Sequence, residues 1–248
     1  MLRGEAALVT GAGRGIGAAI AKALAEAGAA VACLDLDAGA ATDVADAIAA
    51  NGCVSAAVSA DITSPDAMAA AIDSLPAQWR SLDIVVANAA AVTQPTPVVD
   101  LPFDAWSQAI AVNLTGTFVT AKTVIPLMPA GGRMILVASQ LASAAQPGRA
   151  PYCASKAGVL HLARVLALEL AERQIRVNSL SPGPTWTDRL GRFFPDRKAA
   201  EVSLSPDVPL GRLAEPEEIA AAALLLADPA CGYVTGADLV VDGGYLVR

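Results

Sequence analysis

Short runs of Val, Ile, Leu and Ala alternate along the chain with longer Ala-rich stretches that carry polar residues at helical intervals. Runs of the first kind suit strands buried on both faces of a parallel sheet, and stretches of the second kind suit helices that bury one face. The pattern predicts strands at Ala6–Thr10, Ala30–Asp35, Val54–Val58, Ile84–Asn88, Arg133–Ser139, Arg176–Leu180 and Asp238–Val241. Helices are predicted at Gly15–Ala27, Gly39–Asn51, Pro65–Leu75, Phe103–Met128, Tyr152–Ala171 and Pro216–Ala227. Ser64-Pro65 offers an N-cap followed by the residue best suited to a first helical position, Glu215-Pro216 repeats the proline placement, and Gly28 and Gly52 stop helices. Repeated strand–helix units imply an α/β fold in one domain, a doubly wound parallel sheet of about seven strands with helices on both faces. Ser181 to Pro209 is dense in Pro, Gly and charge and shows no clear strand, so residues 183–209 are expected to form a lid.

Composition narrows the partners. A chain of 248 residues, 54% hydrophobic and 17% charged, can bury an extensive core. Its net charge of -7 argues against a protein that tracks nucleic-acid phosphates. The apolar stretch before Gly11 is too short for a signal-peptide core, and no uninterrupted apolar run approaches the roughly 18 residues that cross a bilayer. The expectation is a soluble, cytoplasmic protein whose partners are small molecules or its own copies. Cys33, Cys53, Cys153 and Cys231 form no CxxC pair and accompany a single histidine, His161, so zinc-ligand spacing is absent and free thiols in a reducing compartment are expected.

The first predicted strand runs into Thr10-Gly11-Ala12-Gly13-Arg14-Gly15-Ile16-Gly17, which opens a helix. Side-chain-free positions there let backbone amides approach a pyrophosphate, and the helix N-terminus adds partial positive charge. Ile16 falls where the third glycine of a GxGxxG reading would lie, so the spacing is that of Gly11, Gly15 and Gly17. Asp35 ends the second strand, where an acidic residue can bond the ribose hydroxyls of NAD and repel the 2′-phosphate of NADP. Arg14 points the other way, since a guanidinium could accept that phosphate.

Tyr152 and Lys156, spaced i and i+4 at the start of a helical run, project from one face. A phenol with a reference pKa near 10 is a poor base at neutral pH, and a nearby ammonium favours its phenolate. Ser139 ends a strand thirteen positions earlier, at the edge where open parallel sheets bind ligands, and its hydroxyl could hold a reacting oxygen.

The glycine spacing after Thr10, together with Ser139 and the Tyr152/Lys156 pair, resembles the short-chain dehydrogenase/reductase family, and the resemblance extends over nearly the whole chain. It implies a single-domain Rossmann fold and hydride transfer between a nicotinamide cofactor and a secondary alcohol or ketone. It assigns Asn113, Ser139, Tyr152 and Lys156 as the catalytic set, with Asn113 anchoring a water that links the lysine to solvent. It gives the cofactor Gly11, Arg14, Gly15, Ile16, Gly17 and Asp35, then Asp61 and Ile62 at the adenine, and Asn88 and Ala89 as a wall. Lys156 also meets the ribose, Pro182-Gly183 borders the nicotinamide, and Thr187 or its neighbour Thr185 bonds the carboxamide or phosphate. Ala90 stands where the family usually has glycine. The family is commonly tetrameric, with the helices Phe103–Met128 and Tyr152–Ala171 pairing between subunits.

Substrate walls are expected at Gln94, Gln140, Gln146, Arg149 and Trp186 beside Ser139 and Tyr152, with Val92, Phe193 and Phe194 nearby. Amides and aromatics suit a neutral hydroxyl-bearing substrate, while Arg149, Arg189 and Arg192 keep a carboxylate or phosphate open. The expected cofactor is NAD ahead of NADP, and the expected substrate is a polyol, sugar or related hydroxy compound. A 3-oxoacyl-thioester reductase using NADPH and a non-catalytic nucleotide-binding regulator are the alternatives. His161, between Leu160 and Leu162, is expected at a helix packing face or interface.

Overall fold

The computed structural model describes residues 1–79 and 81–248. Seven parallel strands form one sheet in the order β3-β2-β1-β4-β5-β6-β7: β1 Ala6–Thr10, β2 Ala30–Asp35, β3 Ser55–Ser59, β4 Ile84–Ala87, β5 Arg133–Val137, β6 Arg176–Pro182 and β7 Asp238–Val241. The helices are α1 Gly15–Glu26, α2 Ala38–Ala50, α3 Pro65–Asp73, α4 Phe103–Ile110, α5 Gly116–Val124, α6 Ala150–Glu169, α7 Arg197–Leu204 and α8 Pro216–Ala227.

Strand alternation sorts the core into two layers. Ala6 and Leu8 of β1, with Met134 and Leu136 of β5, face a cluster completed by Val119, Val124 and Val159 of α5 and α6. Ala7 and Val9, with Ile135 and Val137, face the opposite cluster against Ile20 and Leu24 of α1 and Ile219 and Ala223 of α8. Successive side chains point to opposite faces of a strand, so an uninterrupted apolar run feeds both layers at once. The caps follow the local chemistry: Ser64 Oγ accepts from Ala67 N (3.2 Å) at α3, and Glu215 N donates to Glu218 Oε2 (2.9 Å) across the first turn of α8.

Three details depart from the sequence expectation. The helix predicted over Phe103–Met128 is interrupted by one wide π turn, Ala111–Thr115, which separates α4 from α5. The run Phe103–Leu127 is, by length and average composition, long and apolar enough to cross a bilayer. Here it buries Val119, Ala121 and Val124 in the core, with the polar Asn113, Thr117 and Thr120 also buried. Within 183–209, expected to be irregular, α7 forms; Asp196 caps it by accepting from Ala199 N at 2.8 Å.

The end of α8 is held by the sheet. No basic residue lies in its last turn. Instead Arg133 of β5 donates through Nε to Ala227 O (3.0 Å), and Arg176 of β6 donates through Nη2 to Leu226 O and Asp228 O (3.0 Å each). Two buried guanidiniums thus satisfy carbonyls that a helix C-terminus leaves open, and Glu5 balances Arg133.

Candidate active site

Between β1 and β4 the strand order reverses, and the loops at the C-terminal edge part there into a crevice of about 1370 Å³. One wall is the turn between β1 and α1. Gly11 has φ 65, and a Cβ on Gly17 would sit 2.0 Å from Gly11 O, so the turn closes only with glycine at both positions. Asn88 seals it from the next strand: its Nδ2 donates to Thr10 O (3.0 Å) and Gly11 O (3.1 Å), while Thr10 Oγ1 accepts from Asn88 N (3.0 Å) and Ala89 N (3.2 Å). Side-chain-free backbone at a helix N-terminus leaves amides facing the crevice, a cradle fit for a pyrophosphate. Thr187 stands over it, since a Cβ on Gly15 would lie 3.2 Å from Thr187 Cγ2.

At one end of the crevice Asp35 Oδ2 accepts from Gly13 N (2.9 Å), and its Oδ1 accepts from Asp37 N (3.1 Å). Arg14 Nη2 donates to Asp37 Oδ2 at 2.8 Å. The Ala40 amide, and then the Arg14 charge, hold the Asp37 carboxyl below the usual carboxylate range. Asp61 accepts from Thr63 N and Oγ1 (2.8 Å each), which fixes the loop beside Ile62. Asp37 was not legible as a site residue; it reads as the cap of an Ala-rich helix, and its pairing partner lies 23 positions away.

At the other end lie Ser139, Tyr152 and Lys156. Ser139 Oγ accepts from Leu141 N (3.2 Å), which leaves its own hydrogen to donate. Tyr152 and Lys156 share a face of α6, with Lys156 Nζ 6.0 Å from the tyrosine ring centre and donating to Val137 O at 2.7 Å. Burial, and next the charge of Arg189, pull the Lys156 pKa down from 10.5 to about 7. Asn113 does not line the crevice. Fully buried in the π turn, it accepts from Ala91 N (2.7 Å) through Oδ1 and donates to Ser155 Oγ (3.1 Å), and Ser155 Oγ donates to Tyr152 O (2.8 Å).

Gln94, Gln140, Gln146 and Arg149 line the crevice, and so do Pro182, Gly183 and Thr185. Trp186 does not. A parallel bridge between Thr185 and Ala214, with Trp186 N donating to Ala214 O (2.9 Å), holds this strand extended. Thr185 lines the crevice, and the alternation of an extended chain turns the next side chain away. His161 is exposed on α6 and outside the crevice. Asp207 and Tyr245, from distant parts of the chain, also line it, and no spacing in the sequence marked them.

The decisive comparison is the fold with its site. Over all of this chain and 97% of the other, the structure superposes with a TM-score of 0.92 and 36% identity on a short-chain type dehydrogenase/reductase from Mycobacterium marinum. The chain belongs to the short-chain dehydrogenase/reductase family. A family model described as enoyl-(acyl carrier protein) reductase matches residues 11–246. Among curated relatives, D-threitol dehydrogenase of Mycolicibacterium smegmatis is 40% identical over 100% of this chain and 95% of its own. Cis-4-hydroxycyclohexanecarboxylate dehydrogenase of Sinomonas cyclohexanicum is 41% identical over 96% and 95%. A 3-oxoacyl-[acyl-carrier-protein] reductase of Vibrio harveyi is 36% identical over 99% of both chains. This short-chain dehydrogenase/reductase is accordingly an NAD(P)-dependent oxidoreductase acting on CH–OH groups.

Proposed function

We propose that the enzyme interconverts a secondary alcohol, a polyol, sugar or related hydroxy compound, with its ketone, using NAD. One observation carries the reading: Ser139, Tyr152 and Lys156 share a crevice whose far end carries Asp35. For the cofactor, the Asp35 carboxylate would repel a 2′-phosphate, and Arg14, the cation that could receive one, is engaged by Asp37.

When bound, NAD supplies the hydride acceptor. The residues of this chain do the rest. Ser139 donates to the substrate oxygen, Tyr152 takes the hydroxyl proton as the carbinol hydrogen leaves, and Lys156 stabilises the charge on the phenol oxygen. The net reaction is alcohol plus NAD⁺ to ketone plus NADH and a proton. Asn113 acts as a positioning residue, because its bonds join the turn at Ala91 to the first turn of α6 through Ser155. Residues 183–209 form the lid in this proposal, since Thr187, Leu190 and Phe193 close one side of the crevice. The working form is a cytoplasmic homotetramer; exposed Phe103, Phe118, Val165 and Leu168 on α4, α5 and α6 supply apolar surface for it.

The test is NADH formation by purified protein across polyols, sugars, hydroxy acids and simple alcohols, with NAD and NADP titrated in parallel. The expected result is oxidation of at least one class with NAD preferred. Reduction of a 3-oxoacyl thioester with NADPH alone would establish the reductase reading, which the Vibrio relative favours. NAD binding without turnover of any compound would establish a regulator.

A further inference from the structure

The reacting end of the crevice is cationic in an acidic protein. Six guanidinium–carboxylate contacts are formed among the described residues, and none involves Arg149, Arg189 or Arg192. All three line the crevice. Arg149 precedes α6, beside Tyr152, where its Nη1 donates to Thr93 O (3.0 Å) and its guanidinium stacks 5.6 Å from the Phe193 ring centre. Arg189, from the segment after β6, donates through Nη2 to Ala90 O at 2.6 Å, three residues from the carbonyl that Arg149 holds. A guanidinium carries five N–H donors, so each has donors left over after one carbonyl.

We infer, building on the dehydrogenase reading, that the substrate is a hydroxy acid whose carboxylate, remote from the carbinol, is held between Arg149 and Arg189. The acidic groups at that end do not supply the missing charge: Asp207 is taken by Arg248, and Asp188 is exposed beside Arg189 without an ion pair. Two planar forks converging on one carboxylate give both strength and orientation, which a neutral polyol cannot use. Phe193, under the Arg149 fork, and Phe194 offer the apolar wall that a carbon skeleton between carbinol and carboxylate needs. The charge on Arg189 also opposes protonation of Lys156, so a carboxylate that neutralises Arg189 favours the ammonium there.

The experiment compares matched acids and amides. With NAD saturating, 3-hydroxybutyrate and the isomers of 3- and 4-hydroxycyclohexanecarboxylate are each assayed beside the corresponding primary amide. Cyclohexanecarboxylate, cyclohexanecarboxamide and inorganic phosphate are then tested as inhibitors of whichever alcohol is oxidised best. The acids should exceed the amides in kcat/KM by about tenfold to a hundredfold, the range of one or two charge-assisted contacts. Cyclohexanecarboxylate should inhibit competitively, at least tenfold more tightly than the amide or phosphate. In Arg189→Gln and Arg149→Gln those ratios should collapse toward one, a readout that general loss of folding would not produce. Amides oxidised as well as acids, or phosphate the better inhibitor, would overturn the carboxylate assignment. Polyol oxidation without hydroxy-acid oxidation would overturn it alone, whereas no alcohol oxidised by either cofactor would bring down the dehydrogenase reading itself.

Discussion

Lys156 is 2% exposed, and burial followed by the charge of Arg189 brings its pKa down to about 7, well below that of an exposed lysine. The linkage has a definite sign. The unfolded chain keeps this proton up to about pH 10.4 whereas the folded chain releases it near 7, so the unfolded state binds more protons in between and stability rises with pH across that window. One proton gives at most about 1.4 kcal/mol per pH unit. Relative to Lys156→Met, the wild type should therefore gain stability between pH 7 and 10, read from urea midpoints at each pH; a difference independent of pH would show an ordinary amine. Tyr152→Phe tests the neighbouring group. It removes the proton acceptor and should cut kcat by about 10²- to 10⁴-fold while NAD still binds, as measured by cofactor fluorescence. Full turnover in that variant would remove Tyr152 from the chemistry. Arg14 gives the residue scale its clearest limit on legibility, since a sequence displays a cation near the ribose and conceals the Asp37 carboxylate that occupies it.

Elements carry the next level of information, and they divide according to whether local chemistry fixes them. β1, β2, β7 and α8 end where apolar runs meet Gly or Asp, and α8 begins at Pro216, so periodicity and caps sufficed. The break between α4 and α5 was hidden because Ala111–Thr115 contains neither Gly nor Pro to mark it. A π turn appears there through tertiary bonds, from Asn113 to Ala91 and Ser155. Trp186 was misassigned for a related reason: the bridge from Thr185 to Ala214 sets its direction, and no local signal reports a partner that far along the chain. The juxtaposition of Tyr152 and Lys156 on one face of α6 was legible because i, i+4 spacing on a helix is a local fact. Arg176 offers a test at this scale. Arg176→Met removes donors to Leu226 O and Asp228 O at the end of α8 and to Val234 O in the segment before β7, far from the crevice. Charge-assisted bonds of this kind contribute about 1.5–3 kcal/mol each, with losses that do not simply add. The variant should lose several degrees of Tm by calorimetry and keep its KM for the cofactor; an unchanged Tm would mean the sheet does not hold that helix end.

At the scale of the whole molecule, two layers of helices cover both faces of the sheet, yet apolar side chains remain outside. Leu168 is 81% exposed, Phe103 79% and Phe118 47%, and they lie on α6, α4 and α5, which pack on one face of the sheet. Isolated exposed apolar groups are ordinary, but several on the helices of one face offer apolar surface that a second copy could cover. Ala-rich helix surfaces allow close backbone approach, and a two-fold contact would bring the same patch of two copies together. Sedimentation velocity should therefore find a species of about 100 kDa, four times the 25.0 kDa chain. Leu168→Asp and Phe118→Asp together place like charges on both sides of that contact, so the large species should give way to dimers or monomers whose circular dichroism matches the wild type. Because α6 carries both Leu168 and the Tyr152/Lys156 pair, loss of assembly should also raise KM by severalfold as the far end of that helix loses its support. A double variant that still sediments near 100 kDa would move the interface elsewhere on the surface, and one that dissociates with unchanged KM would show that each chain holds its own crevice without help.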